Sequence, residues 1–107
     1  MINQLIQEEL KRSNTIHRPY FTSAHEGESI IREELDEVDE TLDTVNMYYE
    51  KLWGNVKLNF PSEQVENVKM LEFYCKLAIE EMIQVSSMCR KFILSSESGW
   101  SDENKDL

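Results

Sequence analysis

The chain has few of the residues that make turns, with three Gly and two Pro among its 107 residues. An all-β protein needs a turn after every short strand, so this scarcity excludes that class and favours helices. No apolar run approaches the roughly 18 residues of a membrane span, and the first ten residues lack the basic start and apolar stretch of a signal peptide. We therefore expect no membrane partner and a cytoplasmic location.

Basic residues are also scarce, because 11 Lys and Arg stand against 21 Asp and Glu, for a formal charge of −10. Proteins that bind nucleic acid non-specifically need a basic surface, so we expect no nucleic-acid partner. The two cysteines, Cys75 and Cys89, would lie about 21 Å apart along a single helix. A disulfide needs Cα atoms within about 7 Å, so both are predicted to be buried thiols in a reducing compartment.

Apolar residues recur with the period of an α-helix in three segments of the chain. The first is short and covers residues 2–12, and we expect a connecting loop over residues 13–22. The first long pattern follows a capping box, in which the Ser23 hydroxyl accepts the backbone N–H of Glu26 and Glu26 reaches back. These signals predict a short N-terminal helix followed by a long one.

The two long patterns share the same 4-3-4-3 apolar spacing of a helix that packs along one seam. The first long helix is predicted to end at Gly54, and a loop over residues 54–63 leads to the second. The seam of the first consists of Ile31, Leu35, Val38, Leu42, Val45, Tyr49 and Leu52, and that of the second of Leu71, Cys75, Ala78, Met82, Val85, Cys89 and Phe92. Helices joined by so short a loop should pack antiparallel.

We therefore predict an all-α fold, an antiparallel bundle of two long helices and a short N-terminal helix. Residues 1–94 are expected to form one domain, and the polar residues 95–107 a disordered acidic tail. Aromatic side chains extend beyond the seams at Tyr48, Trp53 and Phe73. These exposed rings indicate that a homo-oligomer, a dimer or a tetramer, completes the bundle.

Two acidic motifs hold matching places beside the two seams. Glu34 and Glu37 lie three residues apart on the first long helix, and Glu81 and Gln84 do so on the second. Antiparallel packing would gather these side chains, and clustered carboxylates that repel one another are commonly stabilised by a divalent cation. Oxygen ligands favour Mg²⁺ or Mn²⁺. The alternative is a solvated helix shoulder, because residues 33–40 hold six acids in eight positions.

Three further side chains are candidates for binding a substrate. Lys91 and Arg90 follow Gln84 by about two turns and could meet phosphates, or they could simply complement the negative end of the helix. Trp53 could stack on a base, although an aromatic residue that closes a bundle is commoner. His25 lies in the first turn after Ser23, where a capping or packing role is favoured over a catalytic one.

Three segments of the chain resemble phage-type MazG-like proteins, of the all-α nucleoside triphosphate pyrophosphohydrolase superfamily. They are Ser23–Gly27, Ile31–Val38 and Glu80–Ile93. The resemblance covers residues 20–94, and the opening Ser-Ala-His-Glu-Gly and the later Glu-x-x-Gln-Val-x-x-Met carry more weight than Glu-x-x-Glu. It implies a helical enzyme that holds Mg²⁺ and cleaves a nucleoside triphosphate to the monophosphate and pyrophosphate.

The resemblance also assigns roles to the acidic motifs. Glu34 and Glu37 match the first pair of metal ligands, and Glu81 matches the first residue of the second pair. Gln84 stands where the superfamily has Asp, and its amide offers a neutral oxygen without charge. The stretch between Val38 and Glu80 is also longer than usual in the superfamily.

Two functions follow as hypotheses. One is a Mg²⁺-dependent nucleoside triphosphate pyrophosphohydrolase with Glu34, Glu37, Glu81 and Gln84 as metal ligands. The alternative is a non-catalytic helical scaffold or phage accessory protein that kept the fold without turnover. An acidic mimic of nucleic acid is a third reading, which the dispersal of acids over every helix disfavours.

Overall fold

The computed structural model of the protein describes residues 1–100 and contains three α-helices. They are α1, Ile2–Ile16, then α2, Ala24–Lys57, and α3, Pro61–Glu97. No strand occurs among the described residues, so the prediction of an all-α fold with two long helices and a short one is confirmed. None of these helices combines the length and the apolar character that crossing a bilayer requires.

Both ends of the first connection differ from the prediction in detail. α1 continues through Ile16, where the sequence pattern predicted a loop from residue 13. The Ser13 side chain is buried, and the Thr15 hydroxyl donates to the Arg12 carbonyl at 2.6 Å, so the last turn is stabilised locally. The loop therefore shrinks to residues 17–23.

The predicted cap at the start of α2 is half confirmed. The backbone N–H of Glu26 donates to the Ser23 hydroxyl at 3.1 Å, as a capping box requires. The Glu26 carboxylate accepts a hydrogen bond from the Thr22 hydroxyl at 2.5 Å, one residue earlier than the predicted return contact.

The connection between α2 and α3 is much shorter than the predicted loop over residues 54–63. α2 passes through Gly54 and ends at Lys57, and α3 begins at Pro61, a position that suits Pro because its missing N–H has no helical partner there. Asn59 adopts the left-handed conformation at φ 58° and so takes the role predicted for Gly54. The prediction failed because Gly54 costs a helix only about 1 kcal/mol relative to Ala, which packing readily offsets.

The predicted start of a disordered tail at Ser95 is wrong. α3 continues through Glu97, and Ser95 is fully buried. The backbone N–H of Trp100 donates to the Ser95 carbonyl at 2.6 Å, and the Trp100 ring packs edge-on against Phe92 at 5.2 Å. The rest of the predicted tail, residues 101–107, lies outside the described residues.

The chain divides into two compact units. One, the three-helix unit, comprises Met1–Leu35 with the chain from Met82 onward, and the other, the hairpin unit, comprises Asp36–Glu81. α2 and α3 each contribute to both. That residues 1–94 form one domain stays a prediction.

The three-helix unit has a core built from all three helices and from the loop after α1. Its buried apolar side chains are Leu10, Phe21, Val85 and Met88. Gly27 permits this packing, because a Cβ atom there would lie 2.5 Å from Cδ2 of Phe92 and 3.0 Å from Cδ2 of Phe21. The first turn of α2 therefore approaches the aromatic side chains more closely than any larger residue would allow.

In the hairpin unit α2 and α3 run antiparallel in a fixed register. Three pairs across the two helices set it: Thr41 with Glu81, Tyr48 with Tyr74, and Asn55 with Asn67. The Tyr48 and Tyr74 rings stack with centroids 5.6 Å apart, and Nδ2 of Asn67 donates to Oδ1 of Asn55 at 2.5 Å. Each step of seven residues forward on α2 matches a step of seven backward on α3, the heptad geometry of a coiled coil.

The seam that faces inward is displaced from the predicted one at alternate positions. Val38 is buried as predicted, but Thr41 is buried and Tyr48 half-buried, whereas Leu42 and Tyr49 are exposed. Leu42 and Tyr49 fit a more apolar helical pattern than Thr41 and Tyr48 do. The sequence therefore predicted that Leu42 and Tyr49 face inward. Thr41 can nevertheless turn inward because its hydroxyl finds a partner in Glu81.

The prediction that both cysteines are buried is also wrong. Cys75 and Cys89 are exposed, while Tyr74 is half-buried and Met88 is buried in their place. The cause is the same displacement of the seam by one residue along α3. Two neighbouring stripes of side chains are related by a rotation of only about 100° around the helix axis. The spacing of apolar residues alone does not determine which of the two stripes faces inward.

Candidate functional site

A pocket of about 570 Å³ opens in the three-helix unit. It is bordered by α1, by the loop after it, and by the parts of α2 and α3 that belong to this unit. Its acidic and basic lining side chains are Glu9, Arg12, His17, Arg18, Glu26, Glu33, Glu34 and Lys91. A cavity that combines cationic and acidic side chains in this way suits a ligand with both an anionic group and hydrogen-bond donors, or a metal-bound anion.

Lys91 is the most unusual of these side chains because only 4% of its surface is exposed. Its Nζ lies 4.7 Å from the centroid of the Phe21 ring, a distance at which the ring face attracts a cation. Burial lowers the pKa of Lys91, and the nearby Glu26 carboxylate opposes that shift. An ammonium group with so little water around it is a strong receptor for an anion.

Two hydrogen bonds fix the Phe21 ring beside Lys91. The Phe21 backbone N–H donates to the Ser95 hydroxyl at 2.8 Å, and that hydroxyl donates to the Lys91 carbonyl at 2.7 Å. The sequence prediction missed both Phe21 and Ser95, since one fell in a loop and the other in the tail. The signal that could have found Ser95 is its place one turn after Lys91, where its hydroxyl can reach the carbonyl four residues back.

Arg12 borders the same pocket from α1 and is held by a carboxylate on its own helix. Its guanidinium donates twice to Glu9, at 2.6 Å and 3.0 Å. These hydrogen bonds and the charge of Glu9 raise the pKa of Arg12, which therefore stays positive at every ordinary pH. The Arg12 side chain is exposed and that of Glu9 is half-buried, so the ion pair contributes more to orienting the guanidinium than to stabilising the fold.

Three of the residues predicted from the sequence line this pocket together: Glu34, Gln84 and Lys91. Glu34 occupies the inward seam of α2 and is half-buried. Its Oε2 atom is buried and accepts no hydrogen bond, although the side chain has other polar interactions. The pocket thus unites two predicted metal ligands with one predicted phosphate ligand.

The other two predicted metal ligands, Glu37 and Glu81, belong to the hairpin unit. Glu37 is exposed, and Glu81 is half-buried and accepts a short hydrogen bond from the Thr41 hydroxyl. The oxygen donors of the four predicted ligands suit Mg²⁺ by chemistry. Within residues 1–100, however, no three or more His, Cys, Asp or Glu side chains form a cluster that could hold a metal ion by themselves.

The remaining predicted residues are not among those that line the pocket. Arg90 lines a separate depression of about 440 Å³ in the three-helix unit, together with Cys89 and Ile93. Trp53 belongs to the hairpin unit and is 52% exposed, with Nζ of Lys57 5.5 Å from its ring centroid. Their predicted roles in substrate binding therefore receive no support from a shared cavity with Lys91.

Comparison with known proteins finds no relative of this chain. The resemblance to MazG-like proteins stays a prediction that rests on the three motif segments of the sequence. No family model, no curated protein and no solved structure matches this chain.

Proposed function

We propose that the protein is a nucleoside triphosphate pyrophosphohydrolase of MazG-like type that uses Mg²⁺ or Mn²⁺ and releases the monophosphate and pyrophosphate. The observation that carries the proposal is the meeting of Glu34, Gln84 and Lys91 in one pocket. These residues come from two different helices and were predicted for two different tasks, holding a metal and binding phosphate. Their convergence supports the proposal, because such a reaction needs the metal ion and the phosphates to be held side by side.

Each side chain has a task that its chemistry suits. Lys91 would bind a phosphate oxygen, because its ammonium group is buried and Phe21 restrains it. Arg12, oriented by Glu9, would neutralise further negative charge at the pocket's border. Both interactions would hold the substrate and strengthen as negative charge develops on the phosphates.

Glu34, Glu37, Glu81 and Gln84 would hold the metal ion. When bound, such an ion polarises phosphoryl oxygens and neutralises their charge. Thr41 would keep the Glu81 carboxylate in one orientation through its hydrogen bond. Trp53 and Arg90 as substrate ligands, a cytoplasmic location, a homo-oligomeric state and the absence of a nucleic-acid partner belong to the same proposal.

A non-catalytic scaffold or accessory protein is the second candidate. It is favoured by Gln84, which removes one negative charge from the proposed ligand set. The lack of a cluster of three potential metal-binding side chains within residues 1–100 points the same way. Under this alternative the pocket binds an anion without converting it.

The test is a pyrophosphate-release screen over nucleoside triphosphates with Mg²⁺ and with Mn²⁺. We expect release that falls at least tenfold in Lys91→Met and stays unchanged in Lys69→Met, whose side chain is exposed and paired with Glu66. Gln84→Asp should raise turnover if the missing carboxylate limits it. Nucleotide binding by calorimetry without any release would reject the enzyme in favour of the scaffold, and neither binding nor release would reject both.

A further inference from the structure

The charge of Lys91 has a competitor in the lining of its own pocket, the Glu26 carboxylate. That carboxylate lies close enough for its charge to raise the pKa of Lys91, yet within residues 1–100 the two side chains share no hydrogen bond. Glu26 accepts a hydrogen bond from the Thr22 hydroxyl instead. An ammonium group and a carboxylate that line one cavity gain free energy by pairing, because little water separates them there. A paired Lys91 would be less available to a phosphate, so the arrangement that leaves it unpaired matters to the site.

The Phe21 ring is the group that the Lys91 ammonium contacts. Phe21 is 2% exposed, and its ring centroid lies 4.7 Å from Nζ of Lys91. A ring face attracts a cation through its π electrons and takes up none of the three N–H donors of an ammonium group. The ring therefore stabilises the buried charge and leaves its donors to an anion in the pocket.

The Ser95 hydroxyl determines where this ring lies. Phe21 belongs to the loop between α1 and α2, so its backbone takes no part in a helix. Its N–H donates to Oγ of Ser95 at 2.8 Å, and Oγ donates to the Lys91 carbonyl at 2.7 Å. Ser95 is fully buried, so water has no access to replace either hydrogen bond. One hydroxyl thus joins the residue that carries the ring to the residue that carries the charge.

The neighbours of Ser95 and Phe21 leave the ring little freedom to move. The backbone N–H of Trp100 donates to the Ser95 carbonyl at 2.6 Å and so holds the last turn of α3 in place. A Cβ atom at Gly27 would lie 3.0 Å from Cδ2 of Phe21, so the ring already packs closely against the first turn of α2. The ring is confined by α2 and by the end of α3, and the Ser95 hydroxyl is the polar link that fixes it there.

We propose that Ser95 is a positioning residue that holds the Phe21 ring against Lys91, so that the ammonium group stays unpaired with Glu26 and open to a phosphate. Without the hydroxyl, the buried N–H of Phe21 would lose its partner, and the loop would shift to satisfy it and carry the ring away. Lys91 would then pair with Glu26 and bind an external anion more weakly. The proposal rests on the proposed phosphate-binding role of Lys91, but it involves neither a metal ion nor turnover.

The first test observes Lys91 itself, by nuclear magnetic resonance of the full chain with isotope-labelled lysine. Its ε-methylene protons, identified by the loss of their signal in Lys91→Met, should resonate upfield of those of the other lysines, because they lie close to the Phe21 ring. In Ser95→Ala this upfield shift should disappear. Ser98→Ala is the matched control and should leave the shift in place, since the Ser98 hydroxyl donates to the Ser95 carbonyl at 3.1 Å. An upfield shift that persists in Ser95→Ala would overturn the proposal.

The second test measures the affinity for inorganic pyrophosphate without a metal ion, by calorimetry. Ser95→Ala should weaken binding about tenfold, the effect of losing one hydrogen bond to a charged group. Adding Glu26→Gln should restore most of this loss, because a neutral amide does not compete for the ammonium group, whereas Glu26→Gln alone should raise the affinity far less. Glu33→Gln removes an equal charge from the lining of the same pocket and should have the same effect with and without Ser95→Ala. Additive effects of Ser95→Ala and Glu26→Gln would refute the role of Ser95.

Phe21→Leu repeats the calorimetric test without a substitution at Ser95. Leu keeps the backbone N–H and an apolar side chain but has no ring, so pyrophosphate affinity should fall about as far and Glu26→Gln should again restore it. If Ser95→Ala does not fold, this variant decides, and additive effects of Phe21→Leu and Glu26→Gln then reject the proposal. If the wild type binds no pyrophosphate, the phosphate-binding role of Lys91 and the role of Ser95 are both rejected. Additive effects beside intact wild-type binding reject the role of Ser95 alone.

Discussion

The two compact units use their buried polar groups for opposite purposes. Among the described residues of the three-helix unit a single charged side chain, Lys91, is buried; it lies beside an aromatic ring, and its charge stays available to a pocket. In the hairpin unit the inward polar groups pair with each other, as Thr41 does with Glu81, and set the register of two helices. Buried polarity that is paired specifies structure, whereas buried charge that is only partly compensated prepares a site.

The largest expected effect comes from substituting the one helical glycine of each unit. Gly27→Ala would place a Cβ 2.5 Å from the Phe92 ring, and such overpacking should lower the free energy of unfolding by about 1–3 kcal/mol. Gly54→Ala meets open space and should raise it by up to about 1 kcal/mol, because Ala is the better helix former. Urea denaturation followed by circular dichroism measures both values.

If Gly27→Ala and Gly54→Ala changed the free energy of unfolding by the same amount, the contrast between the two units would be contradicted. Native-state hydrogen exchange adds a sharper readout. Gly27→Ala should accelerate exchange around Phe21 and Phe92 while leaving the middle of the hairpin unit close to wild type. Acceleration spread evenly over residues 1–100 would mean that the two units unfold as one.

A smaller effect is expected from the polar pair that sets the hairpin register. Thr41→Val keeps the shape of the side chain but removes the hydroxyl that donates to Glu81, which should cost about 1–2 kcal/mol of stability. Thr44→Val is the control, since the Thr44 hydroxyl donates an exposed hydrogen bond to the Glu40 carbonyl of its own helix. Thr41→Ser should retain most of the stability that Thr41→Val loses.

Mg²⁺ binding provides a second measurement on the Thr41→Val variant. If Glu81 is a metal ligand, Thr41→Val should also weaken Mg²⁺ binding about tenfold or more, measured by calorimetry. A variant that loses stability but binds Mg²⁺ as the wild type does would leave Thr41 with a purely structural role. Absence of Mg²⁺ binding in the wild type would instead count against the metal proposal itself.

Much of the architecture could be predicted from the sequence, because helical period and capping chemistry act locally. The Ser23 cap, the two long helices and the buried positions Val38 and Val85 all follow from such signals. The inward face of each long helix could not be predicted fully. Adjacent stripes were both apolar, and the choice between them depends on tertiary pairs such as Tyr48 with Tyr74.

The candidate site could be predicted only where its residues lie beside a helical seam. Glu34, Gln84 and Lys91 do so, and all three line the pocket. Phe21 and Ser95 could not be found in this way, because their role arises from a hydrogen bond between residues 74 positions apart. The period of a helix contains no information on a contact of that range.

The smallest expected effect is the dependence of stability on the ionisation of Lys91. Burial lowers the pKa of this group in the folded chain below its ordinary value of 10.5, so folding penalises the charged form. The penalty is fully present at pH values below the lowered pKa, where Lys91 is charged in both states. It is relieved as pH rises through that pKa, because the unfolded chain then binds more protons than the folded one.

The free energy of unfolding of the wild type should therefore rise relative to that of Lys91→Met as pH approaches 10.5, measured by urea denaturation at a series of pH values. Lys69→Met removes an exposed ammonium group. The free energy of unfolding of the wild type should therefore not rise relative to that of Lys69→Met over the same pH range. A wild-type curve parallel to that of Lys91→Met would mean that Lys91 remains hydrated in solution, and the buried charge that distinguishes the three-helix unit from the hairpin unit would be lost.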